Sequence, residues 1–560
     1  MSTPDDLLFK FETTADVQAS QLRLWKQPLR SILSAIFLAA DRDFSGGRFS
    51  GHGQPNIERG ATILSRLSYL MPFMRSSSSE IGESLADALG ALDEQSISEI
   101  QSALGYAHFC EIMPMVRNGY LRVEHAERGF ELVHPSPQFS HHEQCDVIAS
   151  EMALPFLERP FPFRVSTLLK MSSDWPRLVA EDFLPLLMDS YRHHFASIYE
   201  RELLSSADYL KAFDFERDDY LRVRAALMSL ASWCIGMAAA AESKAIGAAN
   251  DAEHWQKECM EWASPLLKVS FVRSLIGELA GVSDSRVDRI LSVFTDTPFG
   301  TGQCISGDGY LAPIVQIGDA FLFSPRGLLI MLGERNIVYV ANKTNKRHFD
   351  EYVSSSLEVA LLDRAGKALS CIGGLVVRKN VVWKHGEIDL LAYSPKTNTA
   401  LHVQAKAPIP PQGARMTRQV ETNSLHAIRQ LAAFDSQTIS EKDAILCNTF
   451  GLDIANAKWA SAVLASSSFG TSSAWSALQG IAALNPPLLT HVSRRMIQES
   501  NANLLDVPSL AAKSLDEIVA RTSRGWTRQT ISVFGTDVSF PGLLLDYEAI
   551  GKVQLECSER

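Results

Sequence analysis

The spacing of apolar residues changes once along this chain, at Phe299, and that change limits what it can fold into. Before it, apolar side chains recur at helical intervals, as in Ile32, Leu33, Ile36 and Phe37, or Leu184, Leu187, Met188 and Tyr191. Arg75-Ser-Ser-Ser-Ser79 reads as a loop between helices, and Thr295-Asp296-Thr297-Pro298 closes the helical part. Breaks at His134-Pro135-Ser136-Pro137 and Glu158-Arg159-Pro160 suggest a division into two subdomains near 135–160. After Phe299 the texture is that of strands. Four glycines, Gly300, Gly302, Gly307 and Gly309, lead into the short runs Pro313–Ile317, Ala320–Phe323 and Ile337–Ala341. No Lys-Ser/Thr pair follows the glycines, so they read as a turn-rich loop rather than a phosphate loop.

A chain of 560 residues exceeds one hydrophobic core, so two to four domains are expected. With 46% apolar and 21% charged residues, it has the make-up of a folded protein rather than a disordered one. The expected class is α+β and multidomain. A mainly helical part spans 1–298, a β-containing connector 299–345, a mixed domain 346–465, and a small C-terminal α/β region 466–560. Ser466–Ser473 reads as a linker or surface loop.

Within the mixed domain the pattern begins with a helix from His348 to Gly366, where Phe349, Val353, Leu357, Ala360 and Leu361 share a face. Strand-like runs follow at Gly374–Arg378, Glu387–Leu391 and Ala400–Lys406. A helix is expected over Thr417–Phe434 and a last strand over Ala444–Cys447. The order is α-β-β-β-α-β.

Alternation along a strand puts Glu387 and Asp389 on one face, with Ile388 and Leu390 turned to the core. On the next strand His402, Gln404 and Lys406 share a face. The turn Ser394–Thr399 lets the two strands pair antiparallel, which sets Asp389 beside Gln404 and Lys406. These groups suit phosphodiester hydrolysis. Asp389 offers a carboxylate to a hard divalent cation, Gln404 an amide oxygen and Ala405 a backbone carbonyl. Lys406 can orient the attacking water and stabilise the charge developing on phosphorus. A solvated hairpin face is the simpler alternative.

Gly386-Glu-Ile-Asp-Leu-Leu391 followed by Leu401-His-Val-Gln-Ala-Lys406 resembles the PD-(D/E)xK nuclease superfamily over roughly 100 residues. The first segment looks like that of Holliday-junction-resolvase-like proteins. The second is similar to Mrr-like restriction endonucleases, in which Gln replaces the usual acid. The resemblance implies a restriction-endonuclease-like αβββαβ core and a Mg²⁺-dependent endonuclease, with Mn²⁺ as substitute ion. It makes DNA the expected partner, leaves RNA open, and suggests by analogy a role in bacterial defence or DNA processing. It also implies a metal-binding acid on the preceding helix. The family's pattern falls on Phe349-Asp-Glu-Tyr-Val353, making Asp350 the first choice and Glu351 the second. Glu387 is a supporting ligand or a surface acid, and the two helix acids equally suit an exposed first turn. Because Gln404 is uncharged, the alternative is a catalytically weak or inactive module that binds nucleic acid or a protein partner, with the helical half as sensor.

Charge is distributed unevenly. Ala341–Phe450 holds 14 Lys/Arg and 10 Asp/Glu, a net of +4, whereas the whole chain carries −11. The basic part thus coincides with the nuclease-like pattern. Arg415 and Arg418, after the loop Pro408–Gly413, are candidates for phosphate contacts. Arg521, Arg524, Trp526 and Arg528 interleave basic and aromatic groups, but a solvated face is the preferred reading. The adjacent pairs His141-His142 and His193-His194 read as structural. Eight cysteines contain no CxxC pair, which argues against a zinc site built on thiolate pairs. Reduced thiols and a start without a signal pattern fit a cytoplasmic protein. The uncharged stretch Ala225–Ala241 reads as a buried helix rather than a bilayer span. A homo-oligomer or a regulatory protein partner is compatible with the helical half.

Overall fold

The computed structural model describes residues 3–45, 57–82, 84–126, 129–153, 177–197, 203–247, 251–298, 313–331, 333–411 and 414–557. Strands among them are β1 (Arg122–Ala126), β2 (Gly129–Val133), β3 (Leu266–Lys268), β4 (Thr295–Asp296), β5 (Ile314–Ile317) and β6 (Ala320–Phe323). They continue with β7 (Val376–Trp383), β8 (Gly386–Ser394), β9 (Thr399–Lys406), β10 (Lys458–Ala465), β11 (Ala482–Leu484), β12 (Ser523–Val533) and β13 (Thr536–Leu545). They form three sheets, ordered β1-β2-β13-β12, β3-β6-β5-β4 and β11-β10-β9-β8-β7. The class is α+β, with a helix-rich first half.

The helical part is built around the 31-residue helix Arg217–Gly247. Its most apolar window is 94% buried inside the protein, which makes it a core helix by packing as well as by composition. One large apolar cluster runs from Leu8 through this helix to Val353 and Leu357, and also takes in Val533, Val538 and Phe540. The first half and the C-terminal region therefore share a core. They share a sheet as well, because β2 pairs in parallel with β13. Gly129 permits that approach: a Cβ there would collide with the Asp537 carbonyl.

The site depends on the five-stranded sheet. β7, β8 and β9 run antiparallel, whereas β10 and β11 run parallel to β9. Helices cover both faces, so β9 is buried along nearly its whole length. On one face Leu390, Ala392, Leu401, Val403 and Ala405 pack with Leu361, Leu362 and Ala365 of helix Ser354–Ser370 and with helices Pro486–Gln498 and Val507–Thr522. On the other, Leu391, Tyr393 and Ala400 pack with Phe434 of helix Ala414–Asp435 and Leu446 of helix Ile439–Phe450.

Several expectations are corrected. Ala444–Cys447 is helical, and the strand after the 414–435 helix is β10. The 439–450 helix starts on a Thr438/Glu441 capping box and ends at Gly451 with φ +66°, so its ends outweigh a four-residue apolar run. Ile337–Ala341 lies in helix Gly333–Thr344. Ser466–Ser473 is no surface linker, since Ser467 through Thr471 are buried. Their backbone is satisfied by carboxylates: Asp146 Oδ1 accepts from Phe469 N at 2.7 Å and Gly470 N at 3.0 Å, and Glu421 from Thr471 N at 3.1 Å. The expected boundary after residue 465 cuts one sheet, because β11 pairs with β10. Gly300, Gly302, Gly307, Gly309 and the Glu158–Pro160 break lie outside the described residues.

Candidate metal-binding site at the β8–β9 fork

β8 and β9 pair from Ser394–Thr399 to Leu390–Val403, and there the paired register stops. Beyond that point side chains take over from the backbone ladder. Asp389 Oδ2 accepts the Ala405 N–H at 2.6 Å, and Gln404 Nε2 donates to the Glu387 carbonyl at 2.7 Å. The pairing of β8 with β7 is also interrupted, at Asn380, which has φ +53°. Strand alternation slips at the same place. Ile388 packs with Leu391 and Phe434, while Leu390 packs on the opposite face of the sheet. The simple expectation that Ile388 and Leu390 share one core face therefore fails. An irregularity of this kind turns a side chain out of the regular pleat, and here the side chain is Asp389.

Gln404 is 1% exposed and held by its amide nitrogen. That nitrogen donates to the Glu387 carbonyl and lies 3.1 Å from His402 Nε2. Burial holds the His402 ring neutral, with a pKa down to about 3. The Glu387 carbonyl is an acceptor, which fixes the orientation of the amide. Its Oε1 is left buried with no hydrogen-bond partner among the described residues. An orphaned acceptor of this kind costs on the order of 1–3 kcal/mol unless something else satisfies it.

The electrostatics gather negative charge at the fork. Burial raises the Asp389 pKa, the Ala405 N–H and Lys406 lower it, and Glu387 raises it again. Burial also raises the pKa of Glu358, on the 354–370 helix, and Asp389 and Glu387 raise it further against the pull of Lys406. Three carboxylates are thus set against one ammonium. Residues of a strand present their N–H and C=O at the same edge. The Ala405 carbonyl accordingly lies at the edge where its N–H meets Asp389. Lys406 is partly exposed and Glu387 exposed. An amide oxygen, a backbone carbonyl and carboxylates form the all-oxygen donor set that suits Mg²⁺ or Mn²⁺.

At the fork Asp389 meets Ala405 by a hydrogen bond and Lys406 and Glu387 by charge, and Gln404 is tied to the Glu387 carbonyl. The two acids expected on the preceding helix have other neighbours. Asp350 is exposed and paired with Lys346, and Glu351 is exposed beside Tyr352. Both lie within a π-helical turn, Phe349–Val353, at which the helix changes register. Glu358 is the acid electrostatically linked to Asp389. The signal for it was an acid on the apolar stripe that continues through Leu361, Leu362 and Ala365.

Among the described residues the basic candidates are engaged by other groups. The Arg415 side chain lies outside the described residues. Arg418 donates to Asn118 Oδ1 at 2.8 Å, tying the 414–435 helix to the first half of the chain. Arg521 pairs with Glu556, Arg524 with Asp546 and Arg528 with Glu131, while Trp526 meets the His134 ring edge-on at 4.3 Å. That stretch is structural. No family model matches this chain, and no curated protein or solved structure matches it.

Proposed function

We propose that the protein is a divalent-metal-dependent nuclease of the PD-(D/E)xK type. The observation that carries the reading is the Gln404 oxygen, buried and without a partner among the described residues, one position before the Ala405 N–H that Asp389 accepts and two before Lys406. The order of elements supports it: a helix, three antiparallel strands, then helices leading to a strand parallel to the third. That arrangement accords with a restriction-endonuclease-like core, enlarged here by one extra helix before β10.

Asp389, Glu358, the Gln404 oxygen and the Ala405 carbonyl would hold the ion. The ion supplies charge neutralisation at the scissile phosphate and a more acidic bound water. The chain's own part is positioning. Lys406 donates to a non-bridging phosphoryl oxygen and holds the attacking water in line. Water oxygen bonds to phosphorus, the P–O ester bond breaks, and the leaving alkoxide takes up a proton. The excess of basic residues over 341–450 favours a polyanionic substrate, for which DNA is the first expectation.

The test is incubation of the full chain with duplex DNA, single-stranded DNA and RNA in Mg²⁺, Mn²⁺ or EDTA. Cleavage is expected with either metal and none with EDTA. Lys406→Ala and Asp389→Ala should each lose at least 100-fold in rate, by the usual magnitude of such terms. Retained cleavage in both folded variants overturns the proposal. The uncharged Gln404 favours one second reading, a nucleic-acid-binding module without catalysis. Its mark is a gel shift that survives while no metal yields product.

A further inference from the structure

A second group of ligand-type side chains lies outside the β8–β9 fork. His141 and Cys145 are four residues apart on helix Pro137–Ala153, and Asp516 projects from helix Val507–Thr522. Residues four apart share a helix face, so the imidazole and thiol point to the same place. His141 Nε2 lies 3.7 Å from Cys145 Sγ and 3.8 Å from Asp516 Oδ1. All three ligand atoms fall within 4.8 Å of one another.

We infer that His141, Cys145 and Asp516 bind one divalent transition metal ion of the zinc class, with water as the fourth ligand. A tetrahedral zinc with bonds of about 2.3 Å to sulfur and about 2.0 Å to nitrogen sets those atoms about 3.5 Å apart. The 3.7 Å between Cys145 Sγ and His141 Nε2 closes to that with a shift of about 0.2 Å. Cys145 is buried, whereas the side chains of His141 and Asp516 are 55% and 65% exposed. The open side is therefore the solvent side, where a water completes the shell. A thiolate and an imidazole select zinc or cobalt over magnesium, so this site and the all-oxygen fork sort different ions.

Position gives the ion a role. The 137–153 helix belongs to the first half of the chain but docks on the C-terminal region. Asp146, next to Cys145, accepts from Phe469 N, Gly470 N and Trp475 Nε1, Asn485 donates to the Ala149 carbonyl, and Gln554 donates to the Glu151 carbonyl. A metal across His141, Cys145 and Asp516 fastens that docking from the solvent side. The pairs His141-His142 and His193-His194 were read as structural because adjacent residues do not chelate together. His141 acts instead with a cysteine one helical turn on and an acid far along the chain.

The test is titration of the metal-free, full-length protein with Co²⁺. One equivalent should produce a thiolate-to-cobalt charge-transfer band together with the strong visible bands of a tetrahedral ion. Cys145→Ser should lose the charge-transfer band, and the exposed His141→Gln and Asp516→Asn should weaken Co²⁺ binding about tenfold or more. Zn²⁺ should displace Co²⁺ and raise the melting temperature, whereas a large excess of Mg²⁺ should do neither. Asp389→Asn should leave the band unchanged, which separates this site from the fork. A charge-transfer band that persists in Cys145→Ser, or no band at stoichiometric Co²⁺, overturns the inference. So does unchanged Co²⁺ affinity in both His141→Gln and Asp516→Asn.

Discussion

Asp389 should trade stability for function, and two substitutions separate the two contributions. Its side chain is 8% exposed, and one oxygen accepts the Ala405 N–H at 2.6 Å. Asparagine keeps an oxygen for that N–H and removes one negative charge from a cluster in which Glu358 and Glu387 face Lys406 as counterion. Alanine removes the charge and the acceptor together. Leaving the buried N–H without a partner costs about 1–3 kcal/mol. In EDTA, Asp389→Asn should therefore unfold no earlier than wild type, and Asp389→Ala clearly earlier. Mg²⁺ changes the comparison. For a dissociation constant on the order of 1 mM, 10 mM Mg²⁺ stabilises the wild type by about 1.4 kcal/mol, and neither variant should gain measurably. For a cooperative unit the size of one domain, this corresponds to a shift of about 3–6 °C. Scanning calorimetry with and without Mg²⁺ reads all three proteins. An Asp389→Asn protein that keeps the full Mg²⁺ shift would refute the assignment of Asp389 as a ligand. One destabilised in EDTA as much as Asp389→Ala would refute the reasoning about charge.

Three further outcomes are expected. Glu358→Gln should weaken Mg²⁺ binding and slow cleavage at least about tenfold, whereas Asp350→Asn and Glu351→Gln should change neither; single-turnover rates on one substrate decide this. Asp146→Ala strips the acceptor from three donors and should cost about 3 kcal/mol or more in urea unfolding followed by Trp fluorescence. Asp146→Asn retains an acceptor oxygen and should cost far less. Burial and the nearby Arg66 push the His108 pKa down to about 2, so the folded chain refuses a proton that the unfolded chain accepts near 6.5. Its contribution is intact above pH 6.5 and is lost as the pH falls from there toward 2, at up to about 1.4 kcal/mol per pH unit. His108→Gln should flatten that acid slope between pH 6.5 and 5, and an unchanged slope would show that His108 does not carry it.

The fork was legible in the sequence because its information is local. A turn at Ser394–Thr399 and the antiparallel ladder up to Leu390–Val403 are enough to bring Asp389 to the end of β9, where it meets the Ala405 N–H and the Lys406 charge. Local pattern failed where a run was short or a contact distant. Ala-Ile-Leu-Cys at 444–447 suits a strand or a helix equally, and the capping residues Thr438, Glu441 and Gly451 held the better signal. The Ser466–Ser473 segment has the composition of a surface loop. It is buried only because Asp146 and Glu421, distant in sequence, accept from its backbone. The β1-β2-β13-β12 sheet could not be anticipated, since β2 and β13 come from opposite parts of the chain. Glu358 was missed because a motif template pointed to Phe349, while the apolar stripe of the helix led past it to the strand fork.

The most direct test is an anomalous difference map from crystals of the full chain soaked in Mn²⁺. One peak is predicted at the fork, within coordination distance of the Asp389 and Glu358 carboxylates, with Gln404 Oε1 turned toward it. An empty fork at millimolar Mn²⁺, or a Gln404 oxygen hydrogen-bonded elsewhere in the chain, would contradict the account.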